Sequence, residues 1–133
     1  MLDGATQTLC KSERLNSMTL ISRLFNEPGS QSTTIFPVRA IYKTVERTDD
    51  SPAVRVLMSV PKRKLHNAVD RNRVKRQLRE AYRKQKSRLI EVLNEHDGEA
   101  MLVALVWLDE AVRPSDVVNQ CVARLLNRIT ESL

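Results

Sequence analysis

The stretch Arg71-Asn72-Arg73-Val74-Lys75-Arg76-Gln77-Leu78-Arg79-Glu80-Ala81-Tyr82-Arg83 decides how the rest of the chain is read. It lies inside a longer block, Lys62 to Arg88, that holds 12 of the 22 Lys and Arg but only two acids, Asp70 and Glu80. The block is therefore formally +10 in a chain of net +6, and everything outside it sums to −4. A mildly acidic body carrying one strongly basic element is how a polyanion-binding surface looks in sequence.

The block reads as a helix. No Gly or Pro occurs between Ala68 and Gly98, and Val74, Leu78, Ala81, Gln85, Leu89 and Val92 recur at steps of three and four. At about 100° per residue these form one stripe, with Tyr82 at its edge, and the helix reaches Asn94. Asn72, Arg76, Arg79 and Arg83 fall on the opposite stripe, flanked by Lys75 and Lys86. A charge run is commonly just a solvated face. Solvated helices mix signs, however, because like charges four apart cost a few tenths of a kcal/mol each. Arg71, Lys75, Arg79 and Arg83 stack like on like at that spacing. Such repulsion argues for a polyanion that relieves it, and Arg's planar fork suits phosphate and base edges.

The rest of the chain builds a frame for this helix. Its 133 residues predict a single domain, 1–133, with a core and no need of disulfides, and with a polar, flexible stretch over Met1–Arg14. Asn16 or Ser17 caps a short helix to about Phe25, which Pro28-Gly29 stops. Gly29 to Thr34 reads as a loop. Ile35–Val45 reads as one strand, with Phe36, Val38, Ala40 and Tyr42 on one face and Pro37 marking an edge or bulge. Glu46–Pro52 is a polar turn whose Asp49-Asp50 pair is turn chemistry. Ala53–Val60 is a second strand, with Val54, Val56 and Met58 on one face and Arg55, Leu57 and Ser59 on the other. Met101–Leu108 is an unbroken apolar run, a strand covered on both sides. Pro114-Ser115-Asp116 opens a last helix with Val118, Cys121, Val122, Leu125, Leu126 and Ile129 inward. The order α-β-β-α-β-α makes an α+β, two-layer sandwich.

Composition excludes several classes. Cys10 and Cys121 lie far apart without metal-ligand spacing, a usage that fits a reducing cytoplasm. Met1–Lys11 has no apolar core of a signal peptide, and the longest apolar run, Ala100–Leu108, is too short to span a bilayer. A membrane-surface helix would set Trp, Phe and Leu opposite its cations, and this one has only a modest apolar stripe. The chain contains no helix-turn-helix pattern or zinc spacing to indicate DNA. Acids are dispersed rather than clustered for metal-dependent hydrolysis, and His66 and His96 stand at opposite ends of the basic helix. With three glycines there is no P-loop or phosphate cradle. No catalytic residue and no metal ligand is predicted in the protein itself.

The Arg71–Arg83 stretch resembles the signature of the bacterial ribonuclease P protein component, an Arg-Asn-Arg followed by Lys75-Arg76, Arg79-Glu80-Ala81-Tyr82 and Arg83. Ser59-Val60-Pro61-Lys62-Arg63-Lys64 resembles the family's strand end and basic turn, and Asn67-Ala68-Val69 its helix start. The likeness is dense over about 25 residues. The Gly common before Asn-Ala-Val is absent, with Leu65-His66 in its place.

The resemblance implies a sheet of about four strands, hence one short strand not placed above. It also implies a left-handed β-α-β crossover, as in the second domain of a small-subunit ribosomal protein. It implies a protein subunit that binds the catalytic ribonuclease P RNA and the 5′ leader of precursor tRNA. The RNA then performs the Mg²⁺-dependent endonucleolytic step that leaves the mature tRNA 5′ end. RNA contact is expected from Lys62, Arg63, Lys64, Arg71, Asn72, Arg73, Lys75, Arg76, Arg79 and Arg83. Arg71 lies nearer the core side, so bracing the helix or lining the leader groove stays open for it. The leader cleft is expected from Phe25, Phe36, Arg39 and Tyr42, with core packing the alternative for Phe25 and Phe36. Magnesium is expected on the RNA and substrate, not in a protein site. The competing reading is a ribosome-associated RNA-binding protein, which would share the basic helix but not the full motif.

Overall fold

The computed structural model describes residues 13–15, 17–26, 28–48, 52–96 and 98–133. Among the described residues, three helices and four strands follow one another: α1 Met18–Asn26, β1 Gln31–Ile35, β2 Val38–Glu46, β3 Val54–Ser59, α2 Ala68–Asn94, β4 Glu99–Trp107 and α3 Ser115–Glu131. The strands form one sheet in the order β1-β2-β4-β3. β2 runs antiparallel to β1 and β4, while β3 and β4 are parallel, so α2 is the crossover between them.

The sequence pattern explains the layering. β4 is apolar at nearly every position because it is central and covered on both faces. On the inner face, α2 and α3 pack over Val38, Ala40, Val56, Val103 and Trp107 with Val74, Leu78, Tyr82, Val122 and Leu125. These are the two expected layers. α1 adds a smaller cover on the outer face, where Leu24 meets Leu15, Leu102 and Ala104. All six inward residues expected of the last helix are buried.

Several expectations are corrected. The Ser/Gln/Thr stretch after Gly29 is not a loop throughout: Gln31–Ile35 is β1, the unplaced fourth strand. It lacks an apolar face because it is an edge strand held by pairing, Gln31 opposite Tyr42 through Ile35 opposite Val38. The single strand expected over Ile35–Val45 is two strands joined at Phe36-Pro37, whose peptide bond is cis. Of the two readings of Pro37, the sheet edge holds and the bulge does not: it stands in the hairpin turn that leaves the edge strand β1. Where the expected flexible terminus ends, the chain is anchored: Arg14 bridges Val56 on the β3 edge, and the N–H of the next residue, Leu15, donates to the Val56 carbonyl at 2.8 Å. Residues 1–12, Asn16 as the alternative cap, and the Asp49-Asp50 turn lie outside the described residues.

Lys86 is the largest departure on α2. Expected beside the solvent row, it is 1% exposed, its Nζ donating to both Glu13 carboxylate oxygens at 2.8 and 3.0 Å. The stripe turns because the C-terminal half of α2 meets the Glu13 segment at the sheet edge. Tyr82, Lys86 and Leu93 are buried there, while Gln85 and Val92 are only partly covered. Lost solvation of a lone ammonium would be costly, and the bidentate carboxylate offsets it.

Candidate nucleic-acid interface

The basic helix starts where local chemistry dictates. Asn67 is the N-cap, its side-chain oxygen accepting from the Val69 N–H at 2.8 Å, and Asp70 sits in the positive first turn. The preceding turn closes without glycine. The Pro61 carbonyl accepts from Lys64 N at 3.0 Å and Leu65 N at 3.3 Å, while the Leu65 side chain fills the core. Arg71 then clamps this turn, Nη1 donating to the carbonyls of Leu65 at 2.9 Å and His66 at 2.8 Å. Of the roles left open for Arg71, bracing is the one its geometry displays.

The outer face of α2 carries the expected row. Asn72, Arg73 and Arg76 are exposed, and Lys75 and Arg79 are half-buried along their stems. Lys62 and Arg63 are exposed in the turn beside Lys64. None of these side chains makes a hydrogen bond or ion pair among the described residues. Arg83 differs. It chelates Glu80 one turn back, Nε to Oε2 at 3.2 Å with a second, shorter contact from Nη2 to Oε1. That hydrogen bond holds the Glu80 carboxyl below its usual range and raises Arg83.

Orientation of the row is fixed from below. Gln77 donates to the Arg113 carbonyl at 3.0 Å and to Ser115 Oγ at 3.1 Å, and Gln85 to the Asn119 carbonyl at 2.9 Å. Polar groups at these two positions thus tie α2 to α3. The cations consequently sit on a rigid element rather than on a loop.

The four leader-cleft candidates separate. Phe25, 44% exposed, and Arg39 meet on the outer face in a groove with Leu24, Ser32 and Ile41. Tyr42 is 8% exposed in the inner core, its hydroxyl 3.5 Å from Ser132 Oγ, and does not reach that groove. Its place follows from strand alternation with Val38 and Ala40. Phe36 is 60% exposed at the β1–β2 turn, against α3 and away from α1. A further outer-face groove was missed: Leu20 and Arg23 of α1 with Val45, Arg55 and Leu102. The signal was available, since alternation along β3 puts Arg55 opposite its core-facing neighbours. Arg23 also stands 3.9 Å from Glu46.

Among the described residues, no three His, Cys, Asp or Glu stand together in a way that could hold a metal ion. His66 is exposed in the basic turn, and His96 lies 3.9 Å from Glu99 beyond the far end of α2. No helix among the described residues is long and apolar enough to cross a membrane.

These features define a class: a small α+β protein whose crossover helix displays, on a rigid frame, a row of cations (Arg73, Lys75, Arg76 and Arg79) unpaired among the described residues. The family model described as Ribonuclease P matches residues 9–129. A ribonuclease P protein component from Porphyromonas gingivalis is 37% identical over 110 residues, covering 83% of this chain and 78% of that protein. One from Chlorobaculum tepidum is 35% identical over 105 residues, covering 75% and 68%. The solved ribonuclease P protein from Thermotoga maritima shares the fold, with a TM-score of 0.61 at 19% identity over 87% of this chain and 96% of that one. The chain belongs to the ribonuclease P protein family, the protein components of an endoribonuclease complex.

Proposed function

We propose that α2 and the Lys62–Lys64 turn seat the protein on the catalytic ribonuclease P RNA, and that the outer-face grooves guide the single-stranded 5′ leader of precursor tRNA. The observation that carries this reading is the row Arg73, Lys75, Arg76 and Arg79, unpaired among the described residues and held on one rigid face. Each guanidinium can make charge-assisted hydrogen bonds to phosphate, and their mutual repulsion is relieved when RNA arrives. Asn72, a neutral amide in the middle of the row, serves as a specific hydrogen-bonder. Phe25 and Arg39 offer an aromatic and a planar cation to unpaired bases, and Arg23 and Arg55 bring positive charge to the neighbouring groove.

In this reading the chain places no acid or base at the scissile bond. The RNA subunit and the substrate would hold the Mg²⁺, which would supply the activation of water and the stabilisation of the leaving oxygen. The protein's cations lower the repulsion between RNA subunit and substrate, and its frame fixes the leader's path. The cytoplasm, where precursor tRNA is processed in bacteria, is the compartment this role requires.

The test is reconstitution. The protein is added to ribonuclease P RNA from the same source, and precursor tRNA cleavage is followed at low and high Mg²⁺. The expected result is an inert protein that lowers the Mg²⁺ requirement and the apparent KM of the RNA. The KM gain should shrink when the leader is cut to a single nucleotide. Cleavage by the RNA that is unchanged by the protein at every Mg²⁺ concentration would overturn the proposal.

A further inference from the structure

A second group of unpaired side chains sits at the β1–β2 turn, on the helix-covered side of the sheet and away from the α1 grooves. Phe36 projects at the tip, and α3 presents Val117, Gln120 and Arg124 beside it; with Ile35 they line one surface notch. Phe36 and Val117 are both large, exposed apolar residues. Neither the Gln120 amide nor the Arg124 guanidinium makes a hydrogen bond or ion pair among the described residues.

The walls behind them are firmly held. Cys121 Sγ donates to the Ile35 carbonyl at 2.8 Å. Arg128, one turn beyond Arg124, spends its Nη1 on Thr33 Oγ1 at 3.1 Å and the Thr34 carbonyl at 3.4 Å. The two arginines of this α3 face thus have different tasks: Arg128 fastens the edge strand, and Arg124 is left over.

We propose that the notch of Phe36, Val117, Gln120 and Arg124 binds a single unpaired RNA nucleotide. The base stacks on the Phe36 ring, the Gln120 amide meets its donor and acceptor edge, and Arg124 takes the phosphate. Charge decides the occupant. A guanidinium without an ion-pair partner, beside an aromatic face and a free amide, complements a nucleotide. The apolar rim of Ile35, Phe36 and Val117 is too small for a stable protein interface. This rests on the RNA-binding reading above and adds a contact separate from both α2 and the outer grooves.

The test uses the full ¹⁵N-labelled chain and 5′-phosphorylated hexaadenylate, read by amide chemical shifts. The amides of Ile35, Val38 and Val117–Arg124 should move together and saturate. Phe36→Leu, which keeps an apolar side chain at an exposed site, should weaken binding at those amides by roughly tenfold, the loss of one base–aromatic stack. Arg124→Gln should weaken the same set and flatten its salt dependence. Shifts confined to α2 and the outer grooves would overturn this inference while leaving the RNA-binding reading intact. Notch shifts indifferent to Phe36→Leu, or appearing on concentrating the protein without RNA, would overturn it as well, the second result marking a protein contact. Silence at every amide would overturn both readings.

Discussion

Arg76→Ala and Glu80→Gln should move RNA affinity in opposite directions. Arg76 is exposed in the interior of α2 and holds no partner among the described residues, so removing it breaks nothing in the fold. Alanine is at least as good a helix former, and its introduction relieves repulsion from Arg73 and Arg79 at three-residue spacing. The melting temperature should stay level or rise slightly. What is lost is one charge-assisted hydrogen bond to phosphate, about 1.5–3 kcal/mol, or a ten- to hundredfold weaker complex. The slope of log K against log salt should fall by about 1. Glu80 has the reverse effect. Its carboxylate chelates Arg83 and is exposed on the same helix as the cation row. Neutralising it removes a negative charge from the exposed face of the basic helix, so Glu80→Gln should tighten binding several-fold and steepen the slope. Fluorescence anisotropy with labelled ribonuclease P RNA over a series of KCl concentrations measures both. If Arg76→Ala leaves affinity and slope unchanged, the row is only a solvated face and the reasoning fails.

Three further outcomes follow from the core. Lys86→Met leaves the Glu13 carboxylate without its bidentate partner and should cost about 3 kcal/mol in urea unfolding. The double variant Lys86→Met/Glu13→Leu should recover most of that. Tyr82→Phe should be neutral or slightly stabilising by the same measure, because the Tyr82 hydroxyl is buried with no hydrogen-bond partner among the described residues and burial, with Glu13 nearby, raises its pKa. Asp109 sets a pH dependence: burial pushes its carboxyl up, but hydrogen bonds from Arg113 and the Ala111 N–H prevail and hold it below the ordinary value. Its contribution to stability is fully present above the unfolded-state pKa of about 4 and is lost as pH falls through the lower, folded-state value. Asp109→Asn should therefore be less stable at neutral pH and show a shallower acid limb in a series of thermal melts.

The long helix was legible because three signals coincide on it: unbroken periodicity, no Gly or Pro, and a charge density unlike the rest of the chain. The central strand was legible because a segment covered on both faces must be apolar throughout. β1 was not, since Gln31-Ser32-Thr33-Thr34 has no apolar face and owes its extension to the register with β2 and to the grip of Arg128. The Phe36-Pro37 turn was read through because Ile35, Phe36, Pro37 and Val38 are all apolar, and neither glycine nor asparagine flags the reversal. Lys86 was misplaced because its partner Glu13 is 73 residues away, in a stretch whose polarity argued for a loose end. At the interface, residue type and phase predicted the free cations but not that Arg71 would turn back on the Leu65 and His66 carbonyls. The leader-cleft candidates came from the family resemblance; alternation along β2 sends Arg39 and Tyr42 to opposite faces, and the β1–β2 turn carries Phe36 to the α3 side.

The strand order β1-β2-β4-β3 has a consequence for synthesis. The ribosome releases β1, β2 and β3 before the strand that lies between β2 and β3, so two of the sheet's ladders must wait for Trp107 to emerge. Until then the β1–β2 hairpin and the β3 segment are separate pieces, and the apolar faces meant for β4 lie open. During that interval the growing chain has already exposed all of α2, with its cations in place and no finished body behind them. A nascent chain stalled before β4 would therefore be a polybasic helix without a core, adhesive to whatever RNA is nearest, the ribosome's own included. Completing one central strand turns that indiscriminate surface into an oriented one.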